Sequence, residues 1–480
     1  MHARWMFPLV AILLVPTAQL QAADELTAKD ATAVLRKAVG FFRKQVSASG
    51  GYLWRYSADL KLQEGENAAG PTTAWVQPPG TPTVGDAYLT AYELTGDREL
   101  LAAARETALA LLKGQLQSGG WDYRIEFDPR QRRRYAYRVD GKRAGTRNVT
   151  TLDDDTTQSA LRFLIRVDRT LEFKDKPIHD AATYALQSLL KAQYPNGAWP
   201  QRFSEFPKAA DYPVKKATYP ASWSRKYPKK DYRGYYTFND NSIADAIDTM
   251  FLATEIYKDK RYRAAAEKAG DFIILAQMPD PQPAWAQQYD RGMHPAWARK
   301  FEPPSVTGGE SQGVLRTLLS LYRRTGKKKY LAPVPRALAY LKKSQLPGGR
   351  LARFYELKTN RPLYFVKDTY ELTYRDDNLP THYGFKVGSR LARIERDYQR
   401  LLKTDPSQLN PPVRKPAPRL ARSLLEQAQQ VVAALDERGA WVERGTIRRA
   451  GRADRIISTR TFARNVETLA RFIAASKEGK

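Results

Sequence analysis

The sequence predicts an all-α fold, an α/α toroid in which helical hairpins form a ring and the functional loops lie on one face. A Lys-x-Gln segment followed by a glycine turn recurs along the chain, at residues 113–121, 191–199 and 343–349. The period is roughly 70 to 80 residues, which is long enough for two helices of ~10–20 residues and their loops. Strand-like alternation is scarce, whereas apolar residues recur at the spacing of helices.

The helices are predicted between these turns, in chain order. Short polar segments at 92–97 and 322–326 separate the two helices of a hairpin. Apolar residues at helical spacing predict helices at 101–112, 243–256, 263–274, 423–435 and 461–474. The unit that repeats is therefore an αα-hairpin, and its glycine turns are expected at equivalent helix ends.

Four parts of the chain are predicted. Residues 1–23 read as a secretory signal peptide, 24–404 as the toroid, 405–419 as a linker and 420–480 as a further helical segment. The linker prediction rests on five prolines between 405 and 419. The last segment either closes the toroid or forms an appendage.

The signal peptide prediction rests on the order of residue types at the N-terminus. Basic Arg4 precedes a short apolar run at 6–15 and small residues at 18–23. The alternative is an uncleaved membrane anchor, but the run is shorter than the ~20 residues that span a bilayer. We therefore expect a periplasmic or secreted protein that has no membrane contact after cleavage and acts as a monomer.

Charge and composition narrow the partners and the chemistry. The net charge is +28, with 79 basic and 51 acidic residues, which attracts polyanions. Export and the lack of any DNA- or RNA-binding motif argue against nucleic acid, so an acidic polysaccharide is the expected partner. The chain has no cysteine and four histidines, none in a zinc-binding pattern, so thiol and zinc chemistry are not expected.

An acidic triplet precedes one predicted helix. Asp153, Asp154 and Asp155 together offer the oxygen ligands that a hard cation such as Ca²⁺ prefers. The alternative is helix capping, for which a single aspartate is enough. Asn239 and Asp240 precede a second helix in the same way, and either could also be its cap.

Arginines and aromatic residues occur in the other polar segments. Arg299, Arg353 and Arg361 lie among aromatic and turn residues, where a guanidinium can fork onto a carboxylate. Their alternative role is pairing with glutamates of the fold. The tryptophans in or near the turns have two alternative roles: their rings offer sugars an apolar face, or they pack the turns. They are Trp54, Trp121 and Trp199.

Several of these segments share a resemblance. The chain resembles family 10 polysaccharide lyases, the pectate lyases with an α/α-barrel fold, at five segments in the same order. These are residues 196–201, 237–240, 285–290, 295–304 and 353–362. The resemblance extends from about residue 153 to residue 384, roughly half of the chain. It implies that 24–404 is a lyase-like domain that cleaves pectate by calcium-assisted β-elimination.

The resemblance also implies roles for individual residues. Asp154, within the triplet 153–155, and Asp240 are implied to be calcium or substrate ligands. Arg299 is implied to hold the substrate carboxylate, and either Arg353 or Arg361 to act as the base. Substrate contacts are further expected from Trp199, Gln201 and Asn239 of these segments, and from Glu310 in the polar stretch that follows residue 304.

Two other functions remain open from the sequence. A glycoside hydrolase on the same kind of toroid would use two carboxylates, such as Asp240 and Glu310, as acid and base. A polyanion-binding protein would keep the groove and lack the base.

Overall fold

The computed structural model describes residues 26–143, 145–409 and 418–478 of the 480 residues. The predicted signal peptide and most of the predicted linker lie outside the described residues. Helices dominate the fold, with the bounds α1 Ala28–Phe41, α2 Thr81–Thr95, α3 Arg98–Gly114, α4 Pro129–Arg132, α5 Thr156–Thr170, α6 Lys176–Ala192, α7 Ser242–Tyr257, α8 Lys260–Leu275, α9 Glu310–Thr325, α10 Val334–Lys343, α11 Leu391–Lys403, α12 Arg422–Ala433 and α13 Thr459–Glu478.

The longer helices alternate between an inner and an outer layer. The inner helices follow one another as α13, α2, α5, α7, α9 and α11, and each packs against the next. The outer helices α1, α3, α6, α8 and α10 pack respectively on α13, α2, α5, α7 and α9. This arrangement confirms the predicted helical toroid, and its main core lies between the two layers.

Short strands, which the sequence did not predict, occur in the loops. Their bounds are β1 Arg55–Ser57, β2 Gln63–Glu64, β3 Thr73–Trp75, β4 Arg124–Glu126, β5 Thr150–Thr151, β6 Arg202–Phe203, β7 Tyr236–Thr237, β8 Gln288–Tyr289, β9 Val306–Thr307, β10 Leu351–Ala352, β11 Phe354–Tyr355, β12 Pro362–Phe365, β13 Leu372–Thr373, β14 Lys386–Val387, β15 Val442–Ile447 and β16 Ala453–Ser458. Most have two to four residues, too few to give a clear alternating pattern.

The strand pairs repeat with the helices. The strand before an inner helix pairs antiparallel with a strand that follows the next outer helix: β3 with β4, β5 with β6, β7 with β8, β9 with β11, and β16 with β1. Each pair ties the loop before one inner helix to the loop after the neighbouring outer helix. The loops that lead into the inner helices therefore gather at one end of the ring.

The repeated Lys-x-Gln turns join neighbouring hairpins. Gln115 Nε2 donates to the carbonyl of Gly119 in its own turn at 3.0 Å and to that of Ala181 on α6 at 2.9 Å. Gln193 does the same with Gly197 and Ala265. Each glutamine amide therefore ties its own turn to the body of the next outer helix, α6 for Gln115 and α8 for Gln193. This bridging explains why the motif recurs.

The tryptophans of these turns are also structural. The indole N–H of Trp121 donates to Leu111 O at 2.9 Å, and that of Trp199 donates to Leu189 O at 2.8 Å. Both side chains are completely buried. A buried ring offers no face to a sugar, so Trp121 and Trp199 pack the turns beneath the loop face instead of lining a groove. Half-buried Trp54 differs, because it lies in a loop at that face.

The C-terminal segment packs into the ring. Strand β16 pairs with β1, with Tyr56 opposite Ile457, and α13 packs on α1 and α2. Phe462 of α13 stacks on Phe42 with ring centroids 3.5 Å apart. Residues 459–478 therefore supply the inner helix next to α2, although the limits of the linker stay a prediction. None of the described helices is both long and apolar enough to cross a membrane.

Candidate functional site

Two equivalent turns carry the acidic residues of the loop face. Asp153–Asp155 forms a 3-10 turn before α5, and Asn239–Asn241 forms the same turn before α7. The last two residues of each turn have positive φ, at 51° and 58° in the first turn and 45° and 59° in the second. Asp and Asn tolerate this left-handed conformation better than most residues, which accounts for the residue types found there.

The packing of α5 against α7 brings the two turns together. Carboxylate oxygens of Asp153, Asp154 and Asp240 lie within 4.8 Å of one another. Asp153 Oδ2 accepts a hydrogen bond from the Tyr123 hydroxyl at 2.8 Å, and Asp154 Oδ2 accepts one from Gln77 Nε2 at 2.9 Å. The buried Asp153 Oδ1 has no hydrogen-bond partner among the described residues.

Burial and mutual repulsion act on this cluster. Burial raises the pKa of Asp154 to about 7, with further contributions from Asp153, Asp240 and Glu66. Burial raises the pKa of Asp240 to about 6, and the charge of Asp153 adds to the effect. Three facing carboxylates and an unpaired buried oxygen fit a hard divalent cation, which takes oxygen ligands and neutralises their charges.

Asp155, the third residue of the predicted triplet, points elsewhere. Its Oδ2 lies 2.5 Å from Nη2 of Arg162, which belongs to α5. Successive residues of a tight turn direct their side chains differently, so the third carboxylate is turned away from the first two. The structure therefore replaces Asp155 by Asp240 in the acidic cluster.

A chain of hydrogen bonds connects Arg299 to this cluster. Arg299 forks onto Glu302, with Nε–Oε2 at 2.8 Å and Nη2–Oε1 at 2.6 Å. Gln287 Nε2 donates to Glu302 Oε1 at 2.8 Å and also to Asn239 Oδ1. Asn239 Nδ2 in turn donates to Asp240 Oδ2 at 2.6 Å. Asn239 is itself buried, so it positions the carboxylate of Asp240.

Arg353 lies on the same face. Its Nη1 donates to Glu310 Oε1 at 2.9 Å, and its Nε donates to Gly384 O at 2.7 Å. The Tyr383 ring lies beneath its guanidinium, 4.6 Å from Cζ to the centroid, and the same ring lies 5.5 Å from Cζ of Arg299. Tyr383 therefore separates two arginines that would otherwise repel each other, and its hydroxyl donates to Glu302 at 2.9 Å.

The glutamates keep both arginines charged. Burial lowers the pKa of Arg299, but the hydrogen bonds and charge of Glu302 outweigh burial and raise it. For Arg353 the opposing effects are again burial, which lowers the pKa, and the charge of Glu310, which raises it overall. Both guanidiniums are thus cations suited to hold carboxylates.

Arg361 belongs to a different cluster. Its Cζ lies 3.3 Å from the centroid of the Tyr374 ring, and the Tyr374 hydroxyl donates to Glu356 at 2.7 Å. Arg225 also pairs with Glu356, at 2.5 Å. Among the described contacts, none joins Arg361 to the acidic cluster. The structure brings Arg299 and Arg353 together and leaves Arg361 with Arg225.

The remaining predicted residue, Gln201, lies next to the acidic turn. Its carbonyl accepts a hydrogen bond from Leu152 N at 2.8 Å, and its buried Oε1 has no partner among the described residues. Its side chain is nearly inaccessible, so it supports the turn from below.

Sequence reasoning missed several residues of the site, namely Gln77, Tyr123, Arg202, Gln287 and Tyr383. Gln77 lies just before α2, as the acidic turns lie before α5 and α7. Aligning the segments that precede the inner helices would have found it. Tyr123 and Arg202 both contact Asp153, at 2.8 and 3.5 Å, and each comes from a loop just after a repeated Lys-x-Gln turn, which the sequence analysis did not extend to them.

Residues 115–321 match the family model described as pectic acid lyase. This match confirms the resemblance over that part of the chain and supports a polysaccharide lyase activity. No curated protein matches the chain.

Solved structures give weaker similarities. A family 10 polysaccharide lyase from Cellvibrio cellulosa is 24% identical, with 61% of this chain and 91% of that chain covered and a TM-score of 0.44. A mutant of that lyase in complex with trigalacturonic acid is also 24% identical, covering 66% and 98%, with a TM-score of 0.45. A family 76 glycoside hydrolase, a mannosidase from Bacteroides thetaiotaomicron, is 10% identical, covering 94% and 99%, with a TM-score of 0.43.

Proposed function

From the match to pectic acid lyases, we propose that the protein cleaves pectate, a polymer of galacturonate, by calcium-assisted β-elimination. The observation that carries the proposal is the acidic cluster of Asp153, Asp154 and Asp240 on the same face as Arg299 and Arg353. A polyanionic substrate needs cations on that face, and the arginines together with a bound cation supply them. Export to the periplasm or the medium, where such polymers occur, is part of the proposal.

Calcium is the cation that the donor set suits. Asp153, Asp154 and Asp240 would hold it, since all three offer oxygen ligands and Ca²⁺ accepts irregular oxygen cages. When bound, the ion would neutralise the substrate carboxylate and stabilise the negative charge that develops next to it. Gln77 and Asn239 would keep two of the ligand carboxylates in position, as outer partners of metal ligands commonly do.

The arginines would bind and activate the uronate. In β-elimination the C5 proton passes to the base, the C4–O bond breaks, a C4–C5 double bond forms, and the leaving oxygen takes up a proton from solvent. Arg299 is fixed by Glu302 and would hold the substrate carboxylate, so that the charge which develops after proton removal meets a positioned donor.

The base is assigned to Arg353 in preference to Arg361. Arg353 lines the cavity that Asp240 and Glu310 also line, whereas Arg361 lies in the Glu356 cluster. A guanidinium is a poor base because its pKa is high. Glu310 keeps Arg353 protonated in this state, so a base role requires that substrate binding separates the pair and leaves Arg353 among cations.

A glycoside hydrolase is the second candidate. Asp240 and Glu310 line one cavity, and burial raises the pKa of Asp240 to about 6, as expected of a general acid. Against it, Glu310 is paired with Arg353 and Asp240 belongs to the acidic cluster. The non-catalytic polyanion-binding alternative shares the arginines and differs in giving no product.

Product chemistry separates these functions. The purified protein is incubated with polygalacturonate and calcium, and the reaction is followed by ultraviolet absorbance and product mass. Elimination gives unsaturated sugars that absorb, whereas hydrolysis gives saturated sugars that are heavier by one water. Unsaturated products that disappear in excess chelator and return with calcium support the proposal. Saturated products, or no products under any of these conditions, contradict it.

A further inference from the structure

A cavity continues from the candidate site toward the interior of the ring. It has a volume of about 330 Å³ and opens beside Asp240, Glu310 and Arg353. Between α7 and α9 its walls include Ala244, Gly313, Val314, Arg316 and Thr317, and Arg390 lines it from the residue before α11. Gly313 leaves open the space that a side chain would fill at this point of α9, because a Cβ there would meet few neighbours.

Two of the wall residues are arginines without carboxylate partners. Within the described part of the chain, neither Arg316 nor Arg390 has a carboxylate oxygen within 4.0 Å, and the same holds for nearby Arg393. Burial lowers the pKa of Arg316, and the charges of Arg390 and Arg393 lower it further. These three residues, here called the arginine cluster, therefore repel one another.

Two neighbouring, less exposed arginines differ in being paired, whereas Arg316 and Arg390 are exposed and have no carboxylate partner among the described residues. Arg353 beside the same cavity pairs with Glu310, and Arg162 on the inner helix α5 pairs with Asp155. Positive charges that face a cavity without a counter-charge attract an anion from solution. A guanidinium favours a planar, two-oxygen anion such as a carboxylate.

We propose that Arg316 and Arg390 form a second carboxylate subsite, which binds a uronate unit next to the one held at Arg299 and the acidic cluster. The inference rests on the proposed function, because it takes the ligand to be a further unit of the same polyuronate chain. The open cavity between Asp240 and Arg316 gives that chain a continuous path. Arg393 adds positive charge without lining the cavity.

An internal partner for Arg316 is the competing explanation. Asp245 and Asp248 line an adjoining cavity of about 310 Å³ together with Arg316. Asp248 already pairs with Arg324 at 3.0 Å. In this explanation Asp245 is the partner, and Arg316 stabilises the fold and contributes nothing to ligand binding.

The experiment compares the Arg316→Gln/Arg390→Gln double variant with the wild type and with Arg323→Gln. Arg323 lies on the same helix two turns away, is exposed and has no ion pair among the described residues, so its loss removes one charge of the same helix. Initial rates are measured with oligogalacturonates of three and of six units. In parallel, the rise of the melting temperature caused by the six-unit oligomer is measured in excess chelator, where turnover is blocked.

The expected result is a KM for the six-unit oligomer that rises about 10-fold or more in the double variant, as for a lost charge-assisted contact. The KM for the three-unit oligomer, which also reaches the neighbouring unit, should rise as well, whereas kcat should change much less. Arg316→Lys, which keeps the charge and loses the fork, should fall between the wild type and the double variant. Arg323→Gln should resemble the wild type in every measurement.

The outcomes separate the two proposals. A double variant that matches Arg323→Gln in KM and in ligand-induced melting shift overturns the subsite and leaves the lyase proposal standing. In a second outcome the six-unit oligomer raises the melting temperature of the wild type but not of the double variant, and none of the proteins gives unsaturated product. This outcome supports the subsite and overturns the lyase reaction. No shift and no product with the wild type overturns both. If the double variant melts at a lower temperature than the wild type without ligand, while its KM is unchanged, Arg316 is a structural partner of Asp245.

Discussion

Asp154 and Asp240 occupy the same position in two neighbouring units of the ring. Each is the first of two left-handed residues in the turn that leads into an inner helix, with φ of 51° and 45°. Because α5 and α7 pack side by side, equivalence in sequence becomes proximity in space, and carboxylate oxygens of the two residues lie within 4.8 Å. Each carboxylate therefore raises the free energy of the other unless a cation is bound.

Asp154→Asn is expected to change calcium binding and stability in opposite directions. The loss of one ligand should lower calcium affinity by more than the ~10–100-fold that loss of an outer partner costs. Without calcium, the variant should melt at a higher temperature than the wild type, because one buried, repelled charge is gone. Melting temperatures with calcium and with chelator measure both effects.

Asp155→Asn is the matched control for that prediction. It removes a carboxylate from the same turn, but one that pairs with Arg162. Its melting temperature should fall while the calcium-induced rise persists. A calcium-induced rise that is lost in Asp155→Asn and kept in Asp154→Asn would show that the wrong carboxylates were assigned to the metal.

Arg299→Lys should weaken substrate binding and turnover together. Lysine keeps the charge, but it cannot make the two parallel hydrogen bonds to Glu302. The buried Glu302 is then left partly unsatisfied, at a cost of roughly 1–3 kcal/mol in the free energy of unfolding. Denaturant unfolding, KM and kcat are measured on one preparation. If the stability loss accounts for the whole rate defect, the role of Arg299 is structural.

Replacing the proposed base should affect rate more than binding. Arg353→Ala is expected to lower kcat by ~10²–10⁴-fold, as for a lost acid–base group, with a smaller change in KM. Arg361→Ala should retain most activity, since Arg361 stacks on Tyr374 outside the acidic cluster. The reverse pattern, with Arg361→Ala inactive and Arg353→Ala active, would move the base to Arg361.

Gln115→Ala tests the structural reading of the repeat. It removes an amide that serves two buried carbonyls, so the free energy of unfolding should fall by about 1–3 kcal/mol. Gln345 makes the equivalent bond to Gly349 in an exposed turn, where water can replace it. Gln345→Ala should therefore cost less. Denaturant unfolding of both variants measures the difference, and equal losses would contradict the bridging role.

The pH dependence of stability should reveal Asp245. Burial and the charge of Asp155 raise the pKa of Asp245 to about 7. A raised pKa in the folded state means that the stability contributed by the protonated form is present at about pH 4 and is lost as the pH rises through 7. Asp245→Asn imitates the protonated form. It should match the wild type near pH 4 and melt at a higher temperature at pH 8.

The control for this prediction is Asp248→Asn. Asp248 lines the same adjoining cavity, but it pairs with Arg324, so its loss should lower the melting temperature at neutral pH. A melting difference between Asp245→Asn and the wild type that stays constant from pH 4 to pH 8 would show that Asp245 does not titrate in this range.

Sequence and structure agree best where a local pattern decides the outcome. Helical periodicity predicted α3, α7 and α8 near their observed positions, because burial of one face imposes that spacing. The Lys-x-Gln turns were recognised as a repeat because the same glutamine hydrogen bonds recur in them. The short strands escaped prediction because two or three residues form no recognisable pattern.

The sequence predicted which residue types form the candidate site, and the structure corrected which of their side chains point into it. The acidic turns and Arg299 were found because clustered carboxylates and forked arginines are rare outside a site or an ion pair. Trp199 was expected in the groove, but it is buried, since a tryptophan in a glycine turn serves packing as readily as sugar binding. Whether such a tryptophan packs the turn or meets a sugar depends on whether its indole faces the core or solvent in the assembled ring.

By itself, the sequence determined the helical repeat, the excess positive charge and the residue types available for an acidic substrate. These are local or additive properties, and each can be read along the chain. Only the tertiary structure decided that Asp240 joins Asp153 and Asp154 while Asp155 turns to Arg162. That choice depends on the packing of α5 against α7, a contact between segments more than 80 residues apart, which no local pattern encodes.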